Sequence, residues 1–144
     1  MTRTTSRGLF GLNIAILALL TIQGWLGDTV SLFATFPSGT VNSIWSGFTQ
    51  ALSAAGSTTV FHAINGAILV ALSIATLVLA LRSPSNRAAR IFAVLGLIFV
   101  FSAAYGGISF VLSGFQNNGN SAQMGTSFVI AYASYFLVIY FNKR

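Results

Sequence analysis

Apolar residues fall into four long blocks, at about 9–27, 60–81, 91–112 and 124–141, with most of the polar residues in the stretches between them. Each block is close to the roughly 20 residues a helix needs to cross a bilayer. Inside lipid a segment must satisfy its own backbone N–H and C=O groups, so blocks of this length are predicted to be helices. Strict alternation of apolar and polar positions, the mark of a membrane β-barrel, is missing. One connection is long, 28–59, and two are short, 82–90 and 113–123. Short connections make successive helices antiparallel neighbours. The expected fold class is all-α, a single membrane domain over residues 1–144 built as a four-helix transmembrane bundle running up-down-up-down.

The long connection has a pattern of its own. Pro37-Ser38-Gly39 is a turn signal. After it Val41, Ile44, Trp45, Phe48 and Leu52 recur at helical spacing, with Asn42, Ser46, Thr49 and Gln50 between them. Ser38 or Thr40 is placed to cap the start. This predicts an amphipathic helix at about 40–54, lying in the outer interface with Trp45 at headgroup depth. Its simplest role is to roof the bundle; a lid over a site or a docking face is the alternative.

Charge turns this pattern into an orientation. The chain of 144 residues is 55% hydrophobic and 6% charged, against about 25% charged in a soluble domain. Such a surface excludes a soluble enzyme, and such hydrophobicity excludes a disordered chain. Asp28 is the one acid. Arg3 and Arg7 precede the first block, Arg82, Arg87 and Arg90 lie between the second and third, and Lys143 and Arg144 follow the fourth. With four crossings all three basic places fall on one side, which the positive-inside rule makes cytoplasmic. The expectation is a multi-pass plasma membrane protein with both termini in the cytoplasm. The net charge of +6 is spread over three loops, so it suits anionic lipid heads and calls for no nucleic acid. The first block is expected to be a permanent span. It is longer than the roughly 7–15 apolar residues of a leader, and no small-x-small cleavage site follows it.

Few side chains remain to carry chemistry. There is no cysteine, hence no thiolate ligand or thiol nucleophile. One acid and one histidine provide no carboxylate pair, and no nucleophile-elbow or phosphate-loop motif occurs. His62 stands just inside the outer end of the second block. Ionisable groups in a span are costly and usually face the bundle interior or water. Asn65, three residues on, shares its face, and Gly66 provides a close approach for a helix or a flat ligand. His62 is therefore a candidate haem ligand, the plainer alternative being a histidine hydrogen-bonded near the interface, for instance to Asp28. The second and fourth blocks run in the same direction, so Met124 is expected at a similar depth, and His/Met is a haem ligation pair. Met124 is also ordinary packing filler. The candidate cofactor residues are thus His62, Met124, Asn65 and Gly66, with His62 and Met124 as iron ligands of a haem b. The run from Ser102 to Phe110 contains small residues that allow close helix contact, and Phe128, Tyr132, Tyr135 and Ile139 form a stripe.

Gln23-Gly24-Trp25-Leu26-Gly27, with Val30-Ser31-Leu32-Phe33 and Pro37, resembles the first-helix signature of a group of small four-span integral membrane proteins of bacteria and archaea to which no activity is attached. The resemblance continues through His62 and Gly66, the basic loop, Gly106-Gly107-Ile108-Ser109-Phe110, and the stretch from Ser121 to Phe128 with Met124. Ser31 and Gly106 stand where the group usually has asparagine. The resemblance implies a fold and emphasises His62 and Met124. The expected function is non-enzymatic: an accessory or structural subunit of a larger membrane assembly, its partners being lipid and other membrane subunits or further copies of the chain. The alternative is a b-type cytochrome-like haem protein using His62, with Met124 or an open position opposite. A small transporter or receptor for an apolar ligand is a third reading.

Overall fold

The computed structural model describes residues 2–36, 40–82 and 86–142, with side chains from Arg7 onward. The turn expected at Pro37-Ser38-Gly39 and the basic Lys143 and Arg144 lie outside the described residues. Five helices make up the fold: α1 (Thr2–Phe33), α2 (Ile44–Ala55), α3 (Ser57–Arg82), α4 (Arg87–Leu112) and α5 (Asn118–Asn142). No strand occurs among the described residues. Four segments, Arg7–Phe33, Ser57–Arg82, Arg87–Leu112 and Asn118–Asn142, are long and apolar enough to cross a membrane.

Polar residues do not stop these helices, because their side chains bond back onto the preceding turn. Thr29 Oγ1 donates to the Trp25 carbonyl at 2.8 Å and Ser31 Oγ to the Asp28 carbonyl at 3.2 Å. With these groups satisfied, α1 runs to Phe33, past the end expected near residue 27. Within the spans the same device serves Asn13 on Leu9 O (2.6 Å), Ser73 on Leu69 O (2.6 Å) and Ser134 on Ile130 O (2.7 Å). A hydroxyl or amide so bonded enters an apolar core at reduced cost.

α2 begins later than the expected 40–54, and its cap is neither of the candidates. Ser43 accepts from the Ser46 N–H at 3.1 Å, and Ser46 Oγ accepts from the Ser43 N–H at 3.2 Å, a reciprocal box. Gly56, at φ 58°, ends α2 and Ser57 opens α3 at once. The face turned to the bundle carries small residues, and Ile44, Trp45 and Leu52 of the stripe are exposed. Gly47 and Ala51 are buried, and a side chain at Gly47 would collide with Val111 of α4. Trp45 is 76% exposed. The small residues let α2 lie close on the ends of α3 and α4, which turns the large ones away.

α4 ends in a Schellman turn. The Phe115 N–H bonds Phe110 O at 3.1 Å and the Gly114 N–H bonds Val111 O at 3.0 Å. Both Gly114 (φ 66°) and Phe115 (φ 63°) are left-handed. For a phenylalanine this conformation costs about 1–2 kcal/mol. Its ring stacks on Phe36, beyond the end of α1, with centroids 4.4 Å apart, and Phe110 stands edge-on to both. Such aromatic pairs contribute about 0.5–1.5 kcal/mol each beyond area burial. Asn117 Oδ1 accepts from the Gly119 N–H at 3.0 Å. The polar stretch expected as loop up to residue 123 thus becomes the first turns of α5.

α1 packs on α3 and α5, and α4 packs on the same two, so the four long helices close a bundle. α2 sits across the α3–α4 end. The core holds Leu9, Ile16, Leu69, Tyr135 and Val138 among others. The exterior is as apolar as the interior: Leu32, Phe33, Trp25, Tyr105, Val129 and Phe61 are all at least 60% exposed. Hydrocarbon, not water, is the solvent suited to that surface.

Candidate functional site

Two seams hold most of the polar side chains that bond between helices. The first joins α1 to α3 and contains three of the four candidate residues. Asn65, buried on α3, spends both amide protons on α1: Nδ2 donates to Leu19 O at 2.9 Å and to Gln23 Oε1 at 2.7 Å. Gln23 Nε2 lies 3.1 Å from His62 Nε2. Gly66 and Gly27 flank this chain of bonds with room for a methyl at each. A Cβ at Gly66 would stand 3.5 Å from Gln23 Nε2, and one at Gly27 would stand 3.4 Å from His62 Cε1.

These bonds have a direction. The Leu19 carbonyl can only accept, so Asn65 must present its NH₂ there, and the same NH₂ donates to the Gln23 oxygen. The Gln23 NH₂ is then the group facing His62, whose Nε2 must accept. The one proton of the neutral ring sits on Nδ1. That atom is buried, and no group of the described residues bonds it.

Met124 stands on the other seam, between α4 and α5. A Cβ at Gly106 would come within 3.0 Å of Asn120 O and 3.2 Å of Met124 N, and one at Gly107 within 3.4 Å of Met124 Sδ. Ser127 Oγ and Gln123 Nε2 both donate to Ser102 Oγ, at 2.9 and 3.3 Å. Gly96 receives the fully buried Tyr135 ring, whose Cζ would lie 2.6 Å from an added Cβ. Small residues of α4 therefore take side chains and backbone of α5, as the run from Ser102 to Phe110 suggested. Of the predicted aromatic stripe Tyr135 and Ile139 are core, Phe128 is half-buried and Tyr132 is exposed.

His62, Asn65 and Gly66 thus meet, while Met124 packs on the glycines of α4. A haem iron needs an imidazole lone pair. The Nε2 lone pair already accepts from Gln23, and Nδ1 carries the proton. Beside this seam Phe128 of α5 fills the notch at Gly24 of α1, its Cζ 2.9 Å from where a Cβ would be. These residues do not fit a haem. No group of three or more His, Cys, Asp or Glu that could hold a metal ion occurs among the described residues. Asp28, the partner considered for His62, is exposed, and the ring bonds Gln23 instead. Gln23 is the site residue that sequence reasoning passed over. Its signal was an uncharged amide inside an apolar span, which is costly unless a neighbouring helix bonds it.

The fold and its exterior define an all-α, multi-pass membrane protein. Comparison with protein-family models, with curated proteins and with solved structures finds no match to this chain.

Proposed function

We propose that the protein is a small non-enzymatic subunit of a membrane assembly, its four spans running up-down-up-down with both termini in the cytoplasm of a plasma membrane and α2 in the outer interface. The pairings support the arrangement: higher positions on α1 meet lower ones on α3 (Leu19 with Asn65, Gln23 and Gly27 with His62), and α4 meets α5 in the same reversed sense. Arg7, Arg82 and Arg87 then share the end opposite α2. The observation that carries the subunit reading is the groove between α1 and α3. It has a volume of about 360 Å³ and is walled by the exposed Trp25, Phe61, Ile64 and Ile68, with Asn65 at its floor. Aromatic and branched side chains around this groove form a face against which another transmembrane helix can pack.

Two measurements test this. Cysteines introduced at Ser46 and Asn86 are expected to label from opposite sides of sealed vesicles; labelling from one side overturns the topology. A photocrosslinking residue in place of Phe61, in native membranes, is expected to give one stoichiometric protein adduct. Adducts to lipid alone overturn the subunit reading.

A further inference from the structure

The groove between α1 and α3 is apolar except at two side-chain atoms. Asn65 reaches its floor, and both of its amide protons are spent on Leu19 O and Gln23 Oε1. What Asn65 has left is Oδ1, an acceptor that no group of the described residues bonds and that is not sealed off. Trp25 stands in the wall, 68% exposed, and its indole N–H is a donor with no acceptor among the described residues. Ile22, Leu26, Phe61, Ile64 and Ile68 complete the lining and bring no polar side-chain atom. The groove thus holds one unmet acceptor and one unmet donor on the same open surface. An acyl chain lying in it would leave both bare, which hydrocarbon penalises.

We propose that a second copy of this chain occupies the groove, the Trp25 indole N–H of each copy donating to Asn65 Oδ1 of the other across a two-fold axis along the membrane normal. The inference deepens the subunit reading above and rests on it. Copies oriented by the same basic loops point the same way, so their two-fold axis lies along the normal and each residue meets the other copy at its own depth. Trp25 and Asn65 wall one groove, so their depths are close. A helical Cα–Cβ bond tilts toward the N-terminus, which on α1 carries the indole from the outer end toward Leu19 and Gln23, the level at which Asn65 is bonded. An isologous contact needs a patch complementary to itself, and one donor beside one acceptor supplies two bonds per dimer. α3 suits the same contact. Its exposed Phe61, Ile64, Ile68, Ala71 and Val78 follow at steps of three, four, three and seven, the seam on which two like helices cross at about 20°. A different membrane protein would have to bring both a donor and an acceptor at these depths; a second copy carries them already.

The chain has no cysteine, so an introduced one reports a single position. In native membranes under mild oxidant Ile64→Cys is expected to form a disulfide-linked dimer, and Phe136→Cys, exposed on α5, to stay monomeric. Photobleaching counts of the full chain in liposomes then weigh the bonds. Trp25→Phe keeps an aromatic wall and removes the donor, so each dimer loses two bonds and association is expected to weaken about tenfold. In an Asn65→Leu background the same change is expected to add no further loss, which separates the bond from the bulk of the ring. The proposal is overturned by no dimer from Ile64→Cys, by equal crosslinking from Phe136→Cys, by a Trp25→Phe dimer as tight as the unaltered one, or by the same loss with and without Asn65. The Phe61 photoadduct separates the two readings. An adduct at twice the mass of the chain supports both. One with a different protein keeps the subunit reading and overturns the second copy, and lipid adducts alone overturn both.

Discussion

The two seams of this bundle solve the same problem by different means. α1 and α3 are joined by amides and an imidazole in sequence, with His62 Nδ1 left without a partner among the described residues. α4 and α5 are joined mainly by shape, with Gly96 receiving Tyr135 and Gly106 receiving the backbone near Met124. In lipid no hydrophobic drive brings helices together, so contact and hydrogen bonding must do it. A hydrogen bond between spans contributes only about 0.6 kcal/mol on average and about 1.7 at most. Close packing over several turns is the stronger tie. The shape-matched seam is therefore the frame, and the bonded seam is the part that carries the polar chain.

The frame is the place to break the molecule. Gly106→Ala is expected to have the largest effect, destabilising by about 1–3 kcal/mol, because the new methyl meets Asn120 O and Met124 N, which cannot rotate away. Steric-trap unfolding in bicelles measures this. Gly96→Ala is expected to cost a similar amount, since the added Cβ would stand 2.6 Å from Cζ of the fully buried Tyr135 ring. Combining it with Tyr135→Leu is expected to recover part of the loss, which a double-mutant cycle reads as negative coupling. The bonded seam comes next. Asn65→Leu is expected to cost about 1–2 kcal/mol, as two bonds go and the Gln23 oxygen loses its donor. Gln23→Leu is expected to cost less, yet to move the His62 proton, which stability alone does not report. The smallest effect belongs to Gly125→Ala. No atom stands within 4 Å of that Cβ, and alanine is expected to stabilise α5 by about 0.5–1 kcal/mol. A loss there would mean that α5 meets a neighbour outside the chain.

The frame was more legible in the sequence than its details. Four apolar blocks place four helices because lipid allows little else. Their ends were misjudged wherever a polar side chain bonds its own helix, as Thr29 does at 2.8 Å and Asn117 does at 3.0 Å on Gly119 N. Hydropathy scores those residues as loop, although their hydrogen bonds prolong or cap a helix. Which face of α2 packs on the bundle was left open for a related reason. Periodicity finds the large apolar residues, but close approach favours the smallest face, and Gly47 and Ala51 took the inside. His62, Asn65 and Gly66 could be grouped because they share one helix face. Gln23 could not be joined to them, since their pairing depends on the register between two helices, which no single-chain pattern encodes. Met124 was matched to His62 on depth alone, and depth does not say which neighbour a side chain turns to.

The stack of Phe36 on Phe115 bears on biogenesis. Phe36 follows the first long helix to leave the ribosome, and Phe115 precedes the last. The two rings cannot meet until the turn before α5 has been made. Until then Phe36 has at most its edge-on contact with Phe110, and the end of the bundle that α2 covers lacks the stack. Closure of that end is thereby coupled to completion of the chain. Ala34→Cys is expected to react faster with a thiol reagent added on that side of the membrane in a nascent protein halted before Gly114 than in the finished one, where this position is half-buried.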